Sequence, residues 1–165
     1  MNLQQQLLVS REAFVRTKRD MCAKYEAPYD LQPQINVVDD TGHVMVGTID
    51  SLDQIPMAIG VLENALPGSI MFLVSLNDTL YYEAEEGEPA PKPGTLARLM
   101  ESGDMRVRDA LAVTVIDVLN DEVETSFVPY RYDDFGQPVF DEPQARPTLD
   151  SAVVDLLRAS AASLG

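Results

Sequence analysis

His43 is the only histidine in this chain of 165 residues, and Cys22 is its only cysteine. Serine–histidine–acid or cysteine–histidine catalysis would therefore have to run through His43, and no recognisable motif sets a nucleophile near it. His43 follows Asp39-Asp40-Thr41-Gly42, so we expect an exposed turn histidine rather than a general base. A zinc site built from histidine and cysteine is excluded by counting. Asp133, Asp134, Asp141 and Glu142 offer oxygen to a hard cation, but their spacing matches no EF-hand loop. Gly60 and Gly68 stand alone, so no glycine-rich loop cradles phosphate. Aromatic and basic residues are not interleaved as in RNA-binding strands. The expectation is no catalytic residue, no cofactor and no metal. An enzyme or small-ligand binder working with carboxylates alone is the enzymatic alternative.

The best functional lead is the stretch from Pro129 to Pro147, which packs four aromatics and four acids into nineteen residues. Tyrosine suits an interface because it offers apolar area with a polar tip. Tyr130, Tyr132, Asp133, Asp134, Phe135, Phe140 and Asp141 are the candidate partner-binding residues. The competing reading tucks Phe135 and Phe140 under a sheet as satellite core.

Charge narrows the partners. The net charge is −15. Residues 1–24 hold five cations and two acids, a net +3, while the remainder holds seven cations and twenty-five acids, a net −18. A body this acidic repels phosphate backbones, so direct nucleic-acid binding is not expected. The expected function is a non-enzymatic protein–protein interaction or adaptor module, with a basic protein or a second copy as partner. The rival is an acidic mimic that occupies another protein's nucleic-acid groove. No stretch approaches the ~20 apolar residues of a membrane span. The start lacks a basic and apolar leader, so no signal peptide is expected. One cysteine fits a reducing cytoplasm.

These residues must be positioned by an α+β domain spanning 1–165, a mostly antiparallel sheet of three hairpins with N-terminal, middle and C-terminal helices packed on it. Residues 3–24 read as an amphipathic helix with Leu3, Leu7, Phe14 and Met21 on one stripe, interrupted by Arg11 and Lys18. The stripe lies either on the sheet or, through Leu7, Phe14 and Met21, in a seam between copies. After a connection holding Pro28 and Pro33, a hairpin pairs 35–38 with 44–49 around Gly42. Ser51 or Asp53 opens a helix that Pro67-Gly68 stops. A buried strand at 69–75 is expected to turn at Asn77-Asp78 into 79–83. Residues 84–94 read as a flexible acidic, proline-rich loop. Thr95 caps a short helix ended by Gly103. The central hairpin pairs 110–119 with 122–128 around Asn120-Asp121. Residues 129–147 read as a long irregular segment. Thr148 or Asp150 then caps a closing helix with Val153, Leu156, Leu157 and Ala161 inward.

Overall fold

The structure, a computed structural model, describes residues 1–26, 28–83, 87–89, 91–92, 94–146 and 152–164. Helix α1 (Leu3–Tyr25) opens the chain, with the Asn2 side chain and Gln5 closing a reciprocal cap on its first turn. Strands β1 (Gln34–Asp39) and β2 (Val44–Thr48) form the expected hairpin, with Gly42 at φ +86. A short 3-10 turn (Leu52–Gln54) leads into α2 (Ile55–Glu63), which puts Pro56 in the first turn. Strand β3 (Ile70–Tyr82), helix α3 (Leu96–Glu101) and strand β4 (Val107–Asp117) follow. Then come β5 (Glu122–Tyr132), β6 (Pro138–Phe140), β7 (Gln144–Arg146) and α4 (Ala152–Ala162). The expected caps at Thr148 and Asp150 lie outside the described residues.

The seven strands form one antiparallel sheet in the order β2-β1-β3-β4-β5-β6, with β7 also paired to β5. It is an α+β fold with helices on both faces. Helix α1 covers one face above β3, β4 and β5, and α2 and α4 cover the other. The central hairpin is the β4–β5 pair, turning through Asp121 at φ +52.

Two expectations of the sequence fail. The chain does not turn at Asn77-Asp78. Strand β3 runs straight through, setting Asn77 opposite Ala112 and Asp78 opposite Leu111. Residues 129–147 are not irregular where they are described: β5 continues to Tyr132, turns through Asp133–Gln137 into β6, and β7 follows. The third hairpin is therefore β5–β6. Asp133 builds its turn, because its Oδ1 accepts the backbone N–H of both Phe135 (2.8 Å) and Gln137 (2.9 Å).

Candidate interaction surfaces

The buried stripe of α1 is Leu3, Leu7, Phe14, Lys18 and Cys22. Leu7 and Phe14 are packed into the sheet, and Met21 lies partly buried against the same cluster. They are not displayed as a seam for a second copy, since the sheet already removes them from water. Lys18 does not interrupt the stripe; it belongs to it, with its side chain 0% exposed.

A charge can be buried there because every proton it carries is accepted. The Lys18 ammonium donates to the Tyr29 carbonyl, to Asp78 Oδ2 at 2.6 Å and to the Tyr132 hydroxyl at 2.7 Å. The Asp78 side chain is only 2% exposed. Its Oδ2 also accepts the Leu31 N–H (2.9 Å), and its Oδ1 accepts the Tyr130 hydroxyl at 2.5 Å. Burial alone would lower the lysine pKa, but the hydrogen bonds to Asp78 and Tyr132 outweigh it and hold the pKa above its ordinary value. Burial, the Asp78 charge and its hydrogen bond push the Tyr130 phenol well above its usual range. Asp109 sits half-buried beside this group. Burial, then the charges of Asp78 and Asp30, push its carboxyl up to about 6, with Lys18 opposing them.

Of the candidate partner-binding residues, Tyr130 and Tyr132 are therefore corrected. Tyr130 is core, and Tyr132 is half-buried in the lysine network. The aromatic reading missed that β5 carries both rings to the face beneath α1. Phe140 is half-buried and packs on Tyr130, so the satellite-core reading holds for Phe140 and fails for Phe135, which is 82% exposed on its turn. Asp134 is exposed beside it. Asp141 pairs with Arg108.

A groove of about 430 Å³ opens between α1 and the β5–β6 end of the sheet. Val15, Val128 and Phe140 supply its apolar surface, and Arg11, Arg16 and Arg19 its charge. Arg19 lies over the Phe140 ring at 5.0 Å. Glu12 and Asp141 also line it, the latter held by Arg108. Among the described residues, Lys18 is the only cation of α1 that forms an ion pair within the fold.

The opposite edge of the sheet is β2. One side of it pairs with β1, and no strand pairs with the other side among the described residues. Met45 and Gly47 face α2, where a Cβ on Gly47 would stand 3.2 Å from Leu62. Val44 and Val46 point to the other face and stay 48% and 54% exposed. The adjoining turn is fastened by Asp39, whose carboxylate accepts the N–H groups of Thr41, His43 and Gly68. Burial would raise the Asp39 pKa, but these bonds and that of the Thr41 hydroxyl hold it below the usual value. His43 itself is exposed, as expected, with its ring against the Thr41 hydroxyl.

Among the described residues no cluster of histidine, cysteine or carboxylate side chains is arranged to hold a metal, and no helix is long and apolar enough to cross a membrane. Comparison with protein-family models, curated proteins and solved structures finds no match to this chain.

Proposed function

We propose that this chain is a non-enzymatic protein–protein interaction module of the reducing cytoplasm, and that it associates with a second copy of itself through the free edge of β2. The observation that carries this reading is an edge strand with none of the usual protection. Sheet edges are normally blunted by lysine, proline or inward-pointing charge. The strand Val44-Met45-Val46-Gly47-Thr48 has none of these. A second copy fits because β2 is self-complementary. In an antiparallel register centred on Val46, each Val46 meets its counterpart and each Val44 meets a Thr48, with no like charges opposed. Elsewhere two bodies of charge −15 repel one another.

Sedimentation across a concentration series tests this. The parent should associate as concentration rises. Val46→Lys should remain a monomer and melt at the temperature of the dilute parent, because a half-exposed side chain changes stability by less than ~0.5 kcal/mol and only association adds a concentration-dependent gain. A parent that stays monomeric at every concentration overturns the self-association, as does a Val46→Lys variant that associates like the parent.

A further inference from the structure

We infer that the groove between α1 and β6 is a second docking site, for an extended acidic segment of a partner protein. It goes beyond self-association at β2 and lies at the other edge of the sheet. In a protein of net charge −15, Arg11, Arg16 and Arg19 gather on one flank of one helix and form no ion pair among the described residues. Of the two carboxylates in the lining, Asp141 is already neutralised by Arg108, which leaves Glu12 against three guanidinium groups. A guanidinium that no carboxylate of its own chain engages can form a bidentate pair with an external one.

The spacing states what the segment looks like. Arg11 and Arg19 are eight residues apart on α1, about 12 Å at ~1.5 Å per residue. An extended chain covers about 13 Å in four residues and points residues i, i+2 and i+4 to one side. Carboxylates at i and i+4 therefore meet Arg11 and Arg19, and the side chain at i+2 falls on Val15, Val128 and Phe140 between them. That side chain is apolar. The groove is open to water, where a single ion pair contributes only ~0–1 kcal/mol. A lone small anion is thus held weakly, and the apolar anchor and second carboxylate are required. Long polyanions are disfavoured because the surrounding body repels them.

Fluorescence anisotropy of labelled Gly-Ser-Glu-Ser-Leu-Ser-Glu-Ser-Gly, and of the same peptide with Phe or Ile at the centre, tests the site on the full chain. At least one peptide should bind saturably, weaken with added salt, and lose affinity by about tenfold or more when Gln replaces both Glu residues. Arg11→Glu/Arg19→Glu should abolish binding, whereas Val46→Lys should leave it unchanged. Because Arg11 also donates to Ser126 Oγ at 3.3 Å, Arg19→Gln alone serves as the milder variant and should weaken binding. The inference is overturned if none of the three peptides binds. It is equally overturned if the Gln peptides bind as well, if binding survives the arginine substitutions in a folded variant, or if an oligothymidylate binds more tightly than the peptides.

Discussion

Between the sheet and helices α2 and α4 the core is aliphatic, built from Ile35, Val37, Leu73 and Ile116 of the strands, Ile49 beyond β2, Ile55, Ile59 and Leu62 of α2 and Leu157 of α4. Between α1 and the same sheet an ammonium from the helix meets a carboxylate and two phenols from the strands, among valines and leucines. The contrast separates two ways of fixing a helix on a sheet. Aliphatic side chains fill volume and tolerate substitutions that conserve it. A buried ion pair adds little net stability but accepts only one geometry, because any shift of α1 would strand Lys18 and Asp78 in an apolar environment without partners.

The largest effect should come from breaking the polar side alone. Asp78→Ala removes the buried counter-ion of Lys18 and the carboxylate that accepts the Tyr130 hydroxyl and the Leu31 N–H, and should cost ~3–5 kcal/mol in denaturant unfolding. Lys18→Met combined with Asp78→Leu should recover the part of that loss that comes from stranding the Lys18 charge, because no unpaired ion is then left in the apolar layer. A double variant as unstable as Asp78→Ala would place the loss in the Leu31 N–H and Tyr130 hydroxyl left without their carboxylate rather than in the Lys18 charge.

Equal cuts in the two apolar layers sharpen the comparison. Phe14→Ala and Ile59→Ala should each cost about 3 kcal/mol, since both side chains are fully enclosed. A much smaller loss for Phe14→Ala would show that the polar network holds α1 in place without its apolar stripe.

The third effect is a pH dependence confined to the α1 face. In the folded chain Asp109 titrates near 6, above its ordinary value of 3.8. A carboxyl whose pKa is raised by folding favours the native state when protonated. Its contribution is fully present below the unfolded pKa and is lost as pH rises through the folded one. Stability should therefore fall between about pH 4 and pH 6 by ~1–2 kcal/mol, after discounting for the half of the group in contact with water. Asp109→Asn should flatten that slope in melts taken across this range. An unchanged slope would exclude Asp109 as its source.

The smallest effect belongs to the loop at 84–94, of which residues 84–86, 90 and 93 lie outside the described set. Glu88 ties it to the body through Arg106 at 2.8 Å and the Tyr82 hydroxyl at 2.6 Å. Exposed contacts of this kind contribute little. Replacing Glu85–Pro93 with a Gly-Ser linker should change stability by less than ~1 kcal/mol, a few degrees in the melting temperature. A larger drop would place part of the loop in the core.

What the sequence made legible follows the same division. The aliphatic elements could be read from local pattern: the β1–β2 and β4–β5 hairpins, α2 ending before Pro67-Gly68, and the inward Leu157 of α4. The polar elements could not. Asn77-Asp78 has the same turn chemistry as Asn120-Asp121, yet only the second pair turns. Asp78 stays in a strand because its acceptors are filled from Lys18, Leu31 and Tyr130, far away in the chain. Lys18 looked like a break in an apolar stripe for the same reason. Of the candidate site, Phe140 and Asp141 do line the groove, but its arginine wall comes from α1, and nothing local in 129–147 pointed to it.

Cys22 lies one helical turn beyond Lys18, and its thiol is as completely enclosed. Being the sole cysteine, it makes the chain its own clock. The Tyr29 carbonyl lies 3.9 Å from its sulfur, so a thiol reagent reaches it only when α1 or the connection that carries Tyr29 moves away, and the labelling rate of the untouched protein under native conditions measures how often that corner opens. Comparing that opening free energy with the one for complete unfolding would show whether the corner opens alone or only with everything else.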